Sequence, residues 1–313
     1  MKLWDDVDGY VHSDALSDTL RSVNQPMVRF REHCDPDDQT KSGLHKGATY
    51  YWNVYGDTSV QGGELVEDSE IPTATYSEVQ SSLTVTEYGL AVPFTQKLDN
   101  LSRHPVEQII KKILGKDSAK AMDIAAHAQF DATLLVCTAA SGTSITEITV
   151  EVAGTATATN NVALGNDHVK AIVDEMSERD IPAFNDGNYR CIGRPKTFRP
   201  FKNDLEALHS YVQSGFDMIL HGEIGRSYEG CRFFTQTNIA SESWTNGKSD
   251  AAYFFGDDTV NECVVVPEEI RGKIPTDFGR SKGVAWYALG GFGIVHNATG
   301  AADNRIMKWA SAA

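Results

Sequence analysis

The spacing of hydrophobic positions changes several times along the chain, and each change predicts an element. Thr49-Tyr50-Tyr51-Trp52-Asn53-Val54-Tyr55 is rich in β-branched and aromatic residues and predicts a strand. Leu83 and Val85 start a second alternation that continues on the other parity at Tyr88, Leu90, Val92 and Phe94, so a strand over 83–94 is expected with one face re-aimed near Gly89 by a bulge. The link between these strands, Val60 to Val79, is far longer than the about two to five residues of an ordinary hairpin loop. It carries Gly62, Gly63, Pro72 and five acidic residues, with Leu65, Val66 and Ile71 as its large aliphatics between the end valines. Such a segment has too little apolar surface to form a core of its own.

A helical period follows. Pro105 stands in the first turn, and Val106, Ile109, Ile110, Ile113 and Leu114 mark one face that continues after Gly115 through Met122, Ala125, Ala126, Phe130 and Leu134. Read to about Cys137, this helix would be roughly 50 Å long at about 1.5 Å per residue, a spine that Gly115 can kink or split. Ile148, Val150 and Val152 alternate as a strand, and a helix over Asn166–Arg179 is expected with Asn166 as its cap. Tyr189–Pro195, Arg232–Gln236, Cys263–Val266 and Gly283–His296 read as strands, and Asp204–Gln213 as a helix. Residues 1–47, broken by Pro26, Pro36, Gly43 and Gly47, hold only short apolar clusters such as Met27-Val28-Arg29-Phe30 and suit an extended arm.

Composition narrows the class. The chain has 313 residues, 41% hydrophobic and 23% charged, enough for a sizeable core. No apolar run reaches about 18 residues, and MKLWDDVDGYVHSD places acids where a signal peptide would be basic and then apolar, so a cytosolic origin without membrane insertion is expected. Five cysteines scattered singly predict reduced thiols. The net charge of −15 opposes binding to naked nucleic acid, which needs a concentrated cationic face.

Catalytic motifs fail at required positions. Gly247-Lys248-Ser249 ends like a phosphate-binding loop, but the glycine needed five residues earlier is Glu242, and Asn246-Gly247 reads as a turn. Gly225-Arg226-Ser227-Tyr228-Glu229-Gly230 misses the nucleophile elbow by one residue. Gly291-Phe292-Gly293 lacks the third glycine of a dinucleotide loop, with His296 in its place, and suits a strand. His33, Cys34, Asp35, Asp37 and Asp38 are metal-ligand types, but Pro36 stiffens them and no second ligand pair is near, which favours a solvated turn. No catalytic residue, metal or cofactor is predicted.

Order and local sequence carry a resemblance. Glu87-Tyr88-Gly89-Leu90-Ala91-Val92-Pro93-Phe94-Thr95 follows the long link, and Arg199-Pro200-Phe201-Lys202-Asn203-Asp204 turns into a helix. His221-Gly222-Glu223-Ile224-Gly225-Arg226 leads to Gly230-Cys231-Arg232-Phe233, and Asp277-Phe278-Gly279-Arg280 leads to Gly283-Val284-Ala285-Trp286-Tyr287. With these, the chain resembles tailed-bacteriophage major capsid proteins of the HK97-type fold, and within them the N4 major-capsid-like family. The resemblance implies an α+β fold divided into an N-terminal arm (1–47), an extended loop with its flanking strands (48–97), a peripheral domain with the spine helix (98–159), an axial domain (160–260), and return strands with a C-terminal tail (261–313). Residues 303–309 form a polar addition where the family often ends on an aliphatic strand.

What the resemblance implies for function is a non-enzymatic shell protein without cofactors. Its partners would be copies of itself in hexamers and pentamers, a portal protein, a scaffolding protein and a decoration protein, around duplex DNA that is not read by sequence. Contacts between subunits are expected from Leu65, Val66, Ile71 and Tyr76 in the loop and from Met27, Val28 and Phe30 in the arm. Ile109, Ile113, Met122 and Phe130 are expected to be the spine-helix core. Two rivals remain: an encapsulin-like compartment with the same subunit shape, and a cytosolic hydrolase with residues 60–79 as a lid over a pocket of shifted ionisable groups.

Overall fold

The computed structural model describes residues 28–40, 47–65, 67, 70–102, 104–154, 159–209, 227–239, 242–244, 247–274, 277–278, 280–296 and 304–311. Among them are thirteen strands in three sheets and four α-helices. The short strand β1 (Asp35–Asp38) is followed by β2 (Thr49–Thr58) and β3 (Tyr76–Thr84), an antiparallel pair, and then by β4 (Thr86–Thr95). Helices α1 (Gln96–Leu101) and α2 (Val106–Asp131) lead to β5 (Leu135–Ala139), β6 (Ile148–Val152), α3 (Asn166–Glu178), β7 (Tyr189–Gly193) and α4 (Arg199–His209). The remaining strands are β8 (Cys231–Thr235), β9 (Glu242–Trp244), β10 (Gly247–Phe255), β11 (Val260–Gly272), β12 (Ser281–Ile294) and β13 (Ile306–Ser311).

One sheet has the order β1-β11-β12-β4; the other runs β6-β5-β13-β10-β7-β8, with β9 paired to β10. Strand alternation in β10 separates the two faces of the larger sheet. Ala252 and Phe254 join Val169, Ile172, Phe198 and Phe201 under α3 and α4, whereas Tyr253 and Phe255 join Phe130 and Ile306 on the opposite face. Helix α2 connects the sheets. Ile110 and Leu114 pack on Val284, Trp286 and Ala288 of the smaller sheet, and Met122, Ala126 and Phe130 pack on the larger one. This second half uses a different side of the helix, since the buried stripe turns with the 3.6-residue period.

Several expectations are corrected. The spine helix ends at Asp131, and its 26 residues span about 39 Å. Residues 135–139 instead form β5, every one of them buried, because parallel pairing with β13 offers this run partners that a further helical turn would not. Gly115 neither splits nor ends α2. The parity change falls at Val85 rather than Gly89: β3 pairs with β2, β4 pairs with β12, and Val85 N–H, bonded to Ala48 O at 2.8 Å, is the crossing point. The cap of α3 is Gly165, whose N–H donates to His168 Nδ1 at 3.1 Å.

The end of the chain differs most. The segment read as a polar tail is β13, buried along its whole length between β10 and β5, with Trp309 fully inaccessible. Its lysine is accommodated because Lys308 Nζ lies 2.8 Å from Asp131 Oδ1. At the other end, Asp35–Asp38 is no solvated turn. It pairs in parallel with β11 as an edge strand, where Pro36 is tolerated, and no group of three potential metal ligands occurs among the described residues.

Candidate assembly surface

The β2–β3 hairpin projects from the body by its base. Pairing runs from Thr49↔Thr84 to Tyr55↔Glu78 and, past an irregularity, to Thr58↔Tyr76, and Ser59 N–H donates to Thr75 O at 2.8 Å. Alternation along β2 turns Tyr51, Asn53 and Tyr55 outward, while Tyr50, Trp52 and Val54 are half-buried. The described residues of the segment 59–75 are exposed.

Glycines in β12 let the base dock. A Cβ on Gly293 would stand 2.8 Å from Leu83 Cβ and 2.9 Å from the Trp52 ring, and one on Gly291 would stand 2.7 Å from Thr84 O. Only bare backbone admits Leu83, which is 3% exposed. Trp52 Nε1 donates to Val295 O at 3.1 Å. Tyr50 donates its hydroxyl to Asp37, and this bond pushes the phenol up to about 12. The hairpin is therefore fixed at its root and unsupported beyond it.

Large apolar side chains on the hairpin stay exposed in the subunit, where Tyr55 and Tyr76 meet only each other among ring contacts, with centroids 6.3 Å apart. Ile71 is 70% exposed, Tyr55 67%, Tyr76 66%, Tyr51 57% and Leu65 56%. Of the residues named from sequence, Leu65, Ile71 and Tyr76 are thus available to another molecule, and Val66 lies outside the described residues. Tyr51 and Tyr55 were missed, although the alternation of β2 marks them. A second unpartnered group gathers at the β11–β12 turn and α1, with Leu98, Leu101, Ile274 and Phe278 each at least half exposed. Gln96 N–H donates to Arg280 O at 3.0 Å, and Lys282 Nζ lies 3.2 Å from Asp99, which hold the two elements together.

The arm residues behave otherwise. Met27 lies outside the described residues and Val28 is half-buried, but Phe30 is fully buried in the subunit's own core against His127, Phe130 and Tyr253. It is a core residue rather than a contact for neighbours, because Asp123 of α2 accepts the backbone N–H of Phe30 and of Arg31. Arg31 also pairs with Glu262 and Glu268 of β11. On the spine, Met122 and Phe130 are buried and Ile109 half-buried, whereas Ile113 is 56% exposed. The buried row passes through Ile110 and Leu114, and Ile113 sits about 100° away from Leu114.

Among the described residues, ionisable groups near the hairpin are held in ion pairs and hydrogen bonds around one cleft. A cleft of about 390 Å³ between Val54, Tyr55, Asp57 and Ser77 on one side and Arg179, His296 and Arg305 on the other lies beside the strands, not beneath the loop 60–74. Its histidine is committed: His296 Nε2 lies 3.2 Å from Asp258, and that bond holds the Asp258 carboxyl below its usual range. The five cysteines are free and buried, and burial pushes every thiol up, to about 11 for Cys263 and about 12 for Cys137. They are inert thiols.

Comparison with known proteins finds one family and several structures of similar fold. The model of a family described as phage capsid protein matches residues 78–304. The chain is similar to the capsid structure of the cyanophage P-SCSP1u, with a TM-score of 0.69, 10% identity, and coverage of 96% of this chain and 93% of that one. Its similarity to the structure of Mycobacterium phage Che8 has a TM-score of 0.67 at 10% identity over 97% and 98% of the two chains. With the head structure of Helicobacter pylori bacteriophage KHP40 the values are 0.66, 10%, 97% and 96%. No curated protein sequence matches the chain.

Proposed function

The chain belongs to the phage capsid protein family, and from that premise we propose that it is the repeating subunit of a tailed-bacteriophage head, closing around duplex DNA. It is a shell protein of α+β, HK97-type fold that assembles with copies of itself and resides in the virion. In this reading residues 1–47 are the N-terminal arm, 48–97 the extended loop and its strands, 98–159 the peripheral domain, 160–260 the axial domain, and 261–313 the return strands and tail. Subunits form hexamers and pentamers in the host cytoplasm with a portal protein, a scaffolding protein and a decoration protein. The protein acts as a structural element, without catalysis or cofactor, and its N4-type grouping rests on the sequence motifs alone.

The observation that carries the mechanism is the rooted hairpin with its apolar side chains in water. Covering one side chain the size of Ile71 is worth about 1.5–3 kcal/mol, and free strand edges add backbone hydrogen bonds on pairing. Single contacts of this size let a misplaced subunit leave, and their sum over a closed shell stabilises the particle. Residues Leu65, Ile71, Tyr76, Tyr51 and Tyr55 are the contact set of the loop.

Electron microscopy of negatively stained full-length protein tests the reading. Deleting residues 61–74, which keeps the Thr58↔Tyr76 pairing, should leave a folded, soluble subunit that closes no shells. Normal particles from that deletion would remove the hairpin from the mechanism, and the absence of any shell from the wild-type chain under all assembly conditions would remove the capsid reading.

A further inference from the structure

Two segments attached to the smaller sheet carry opposite formal charge. Residues 49–80, which make the hairpin, contain Asp57, Glu64, Glu67, Asp68, Glu70 and Glu78 and no lysine or arginine. Residues 97–120, reaching from α1 through the first half of α2, contain Lys97, Arg103, Lys111, Lys112, Lys116 and Lys120 against Asp99, Glu107 and Asp117. That segment therefore has a formal charge of +3, and the rest of the chain −18, in a total of −15.

All three of those carboxylates are engaged. Asp99 pairs with Lys282, Glu107 with Lys111, and Asp117 accepts from Trp286 Nε1 at 3.0 Å. Lys112, Lys116 and Lys120 have no ion-pair partner among the described residues, and they lie off the side of α2 that buries Ile110 and Leu114, Lys112 exposed and Lys116 and Lys120 half-buried. Spaced by four residues, they rise about 6 Å per step, close to the roughly 6.8 Å that two nucleotides cover along one strand of a duplex.

Sheet geometry fixes where this row stands relative to the hairpin. Even-numbered residues of β12, Val284, Trp286, Ala288 and Phe292, face α2, while Gly291 and Gly293 face the hairpin base. The hairpin, acidic beyond its root, and the lysine row are attached on opposite sides of one sheet. A polyanion is repelled from the first side and attracted to the second.

We infer that Lys112, Lys116 and Lys120 form a phosphate-contacting row for duplex DNA, so that the exposed side of α2 lines the lumen of the shell and the hairpin root lies toward the outside. The inference rests on the capsid reading. The contact is to backbone phosphates and is independent of base sequence; each lysine neutralises one phosphate and releases its counterions. Repetition around the shell makes a weak contact per subunit effective.

The test compares full-length protein with the variant K112Q/K116Q/K120Q and with the hairpin control E64Q/E67Q/E70Q. Shells are assembled with a duplex fragment of defined length, treated with nuclease, and assayed for protected DNA at several salt concentrations. The triple lysine variant should close shells of normal size that protect at least tenfold less DNA at about 0.1 M salt, and its salt slope should fall by about three per bound subunit. The hairpin control should retain its DNA. As a readout that needs no shell, lysine acetylation of the unassembled chain with and without the duplex at low salt should show protection of Lys112, Lys116 and Lys120 but not of Lys273. Unchanged DNA protection, or equal acetylation with and without DNA, overturns the inference while leaving the capsid reading intact. Loss of shell closure in the lysine variant also overturns it, by assigning the row to a protein partner.

Discussion

Asp123, in the middle of the long helix, accepts the backbone N–H of Phe30 at 2.8 Å although 93 residues separate them. The same carboxylate accepts from Arg31 N–H, from Gln236 Nε2 and from Asn238 Nδ2, so one buried acid ties the N-terminal segment and the strand-end residues after β8 to α2. Replacing Asp123 by Leu fills similar volume but strands those donors away from water. Each buried donor left unpaired costs about 1–3 kcal/mol, so a loss of about 3–5 kcal/mol is expected once partial relaxation is allowed. Urea unfolding of the unassembled subunit measures it. Limited proteolysis should at the same time open a new cleavage site near Arg29 or Arg31, and unchanged stability would show that the tie is dispensable.

Gly293 makes a different kind of test, because its substitution affects the hairpin rather than the core. A Cβ there meets Leu83 Cβ at 2.8 Å and the Trp52 ring at 2.9 Å, so Gly293→Ala must push the hairpin root off β12. Overpacking of this kind costs about 1–3 kcal/mol. The expected result is a subunit with near-native far-ultraviolet circular dichroism, a red-shifted Trp52 emission and poor shell closure. Unshifted emission with full assembly would mean that the root does not pack as the structure has it.

Acid should destabilise the subunit through His33. Burial, aided by the charges of Arg190 and Arg29, lowers its pKa to about 4, and His127 is lowered as well, chiefly by burial. The unfolded chain, with histidine near about 6.5, then binds more protons than the folded chain between these values. Stability therefore rises with pH through that window, is complete above about 6.5, and is lost as pH falls toward 4. The full span for His33 is on the order of 3 kcal/mol. His33→Phe should flatten the dependence of unfolding free energy on pH between about 4 and 6.5, with His127 supplying the remainder. An unaltered slope would assign the acid sensitivity to other groups.

Much of this architecture is legible in local sequence, and the misreadings have physical causes. β2, α3, β7, β8 and β12 follow from period and composition, because each is amphipathic or apolar over most of its length, whereas β3 is polar and exposed at seven of its nine residues and reads partly as link and partly as the start of β4. β5 and β13 do not: Leu135–Ala139 continues the apolar run of the helix, and the Asn304-Arg305 lead-in with Lys308 makes the end of the chain look solvent-bound. Their identity is set by pairing with each other and with β10 across more than 50 residues of sequence. Phe30 was read as a contact for neighbours because a four-residue apolar cluster gives no hint of the carboxylate at Asp123 that receives it. On the assembly surface, Leu65, Ile71 and Tyr76 were visible as hydrophobes in a segment unable to bury them, whereas Tyr51 and Tyr55 required knowing which parity of β2 faces the body.

Helix α2 gives the sharpest separation of core from surface, since two adjacent residues have opposite fates. Leu114 is fully buried against the smaller sheet and Ile113 is 56% exposed, though hydrophobic periodicity alone admits both to the core. An aspartate at Leu114 places an unpaired charge among Val284, Trp286 and Ala288, a cost that exceeds the typical total stability margin of about 5–15 kcal/mol only if the carboxylate stays ionised; protonation or local opening reduces it to several kcal/mol. Leu114→Asp should therefore yield insoluble or molten protein. Ile113→Asp leaves water at the carboxylate, so the subunit should unfold within about 0.5 kcal/mol of wild type. Particles should form normally, because Ile113 shares the side of α2 that carries Lys116 and Lys120 and lines the lumen, where no neighbour has to bury the new charge. Measured side by side, soluble yield and particle counts distinguish the two outcomes: equal insolubility of both variants would show that Ile113 is buried within the subunit, and loss of particles from a soluble Ile113→Asp would show that a neighbour covers it.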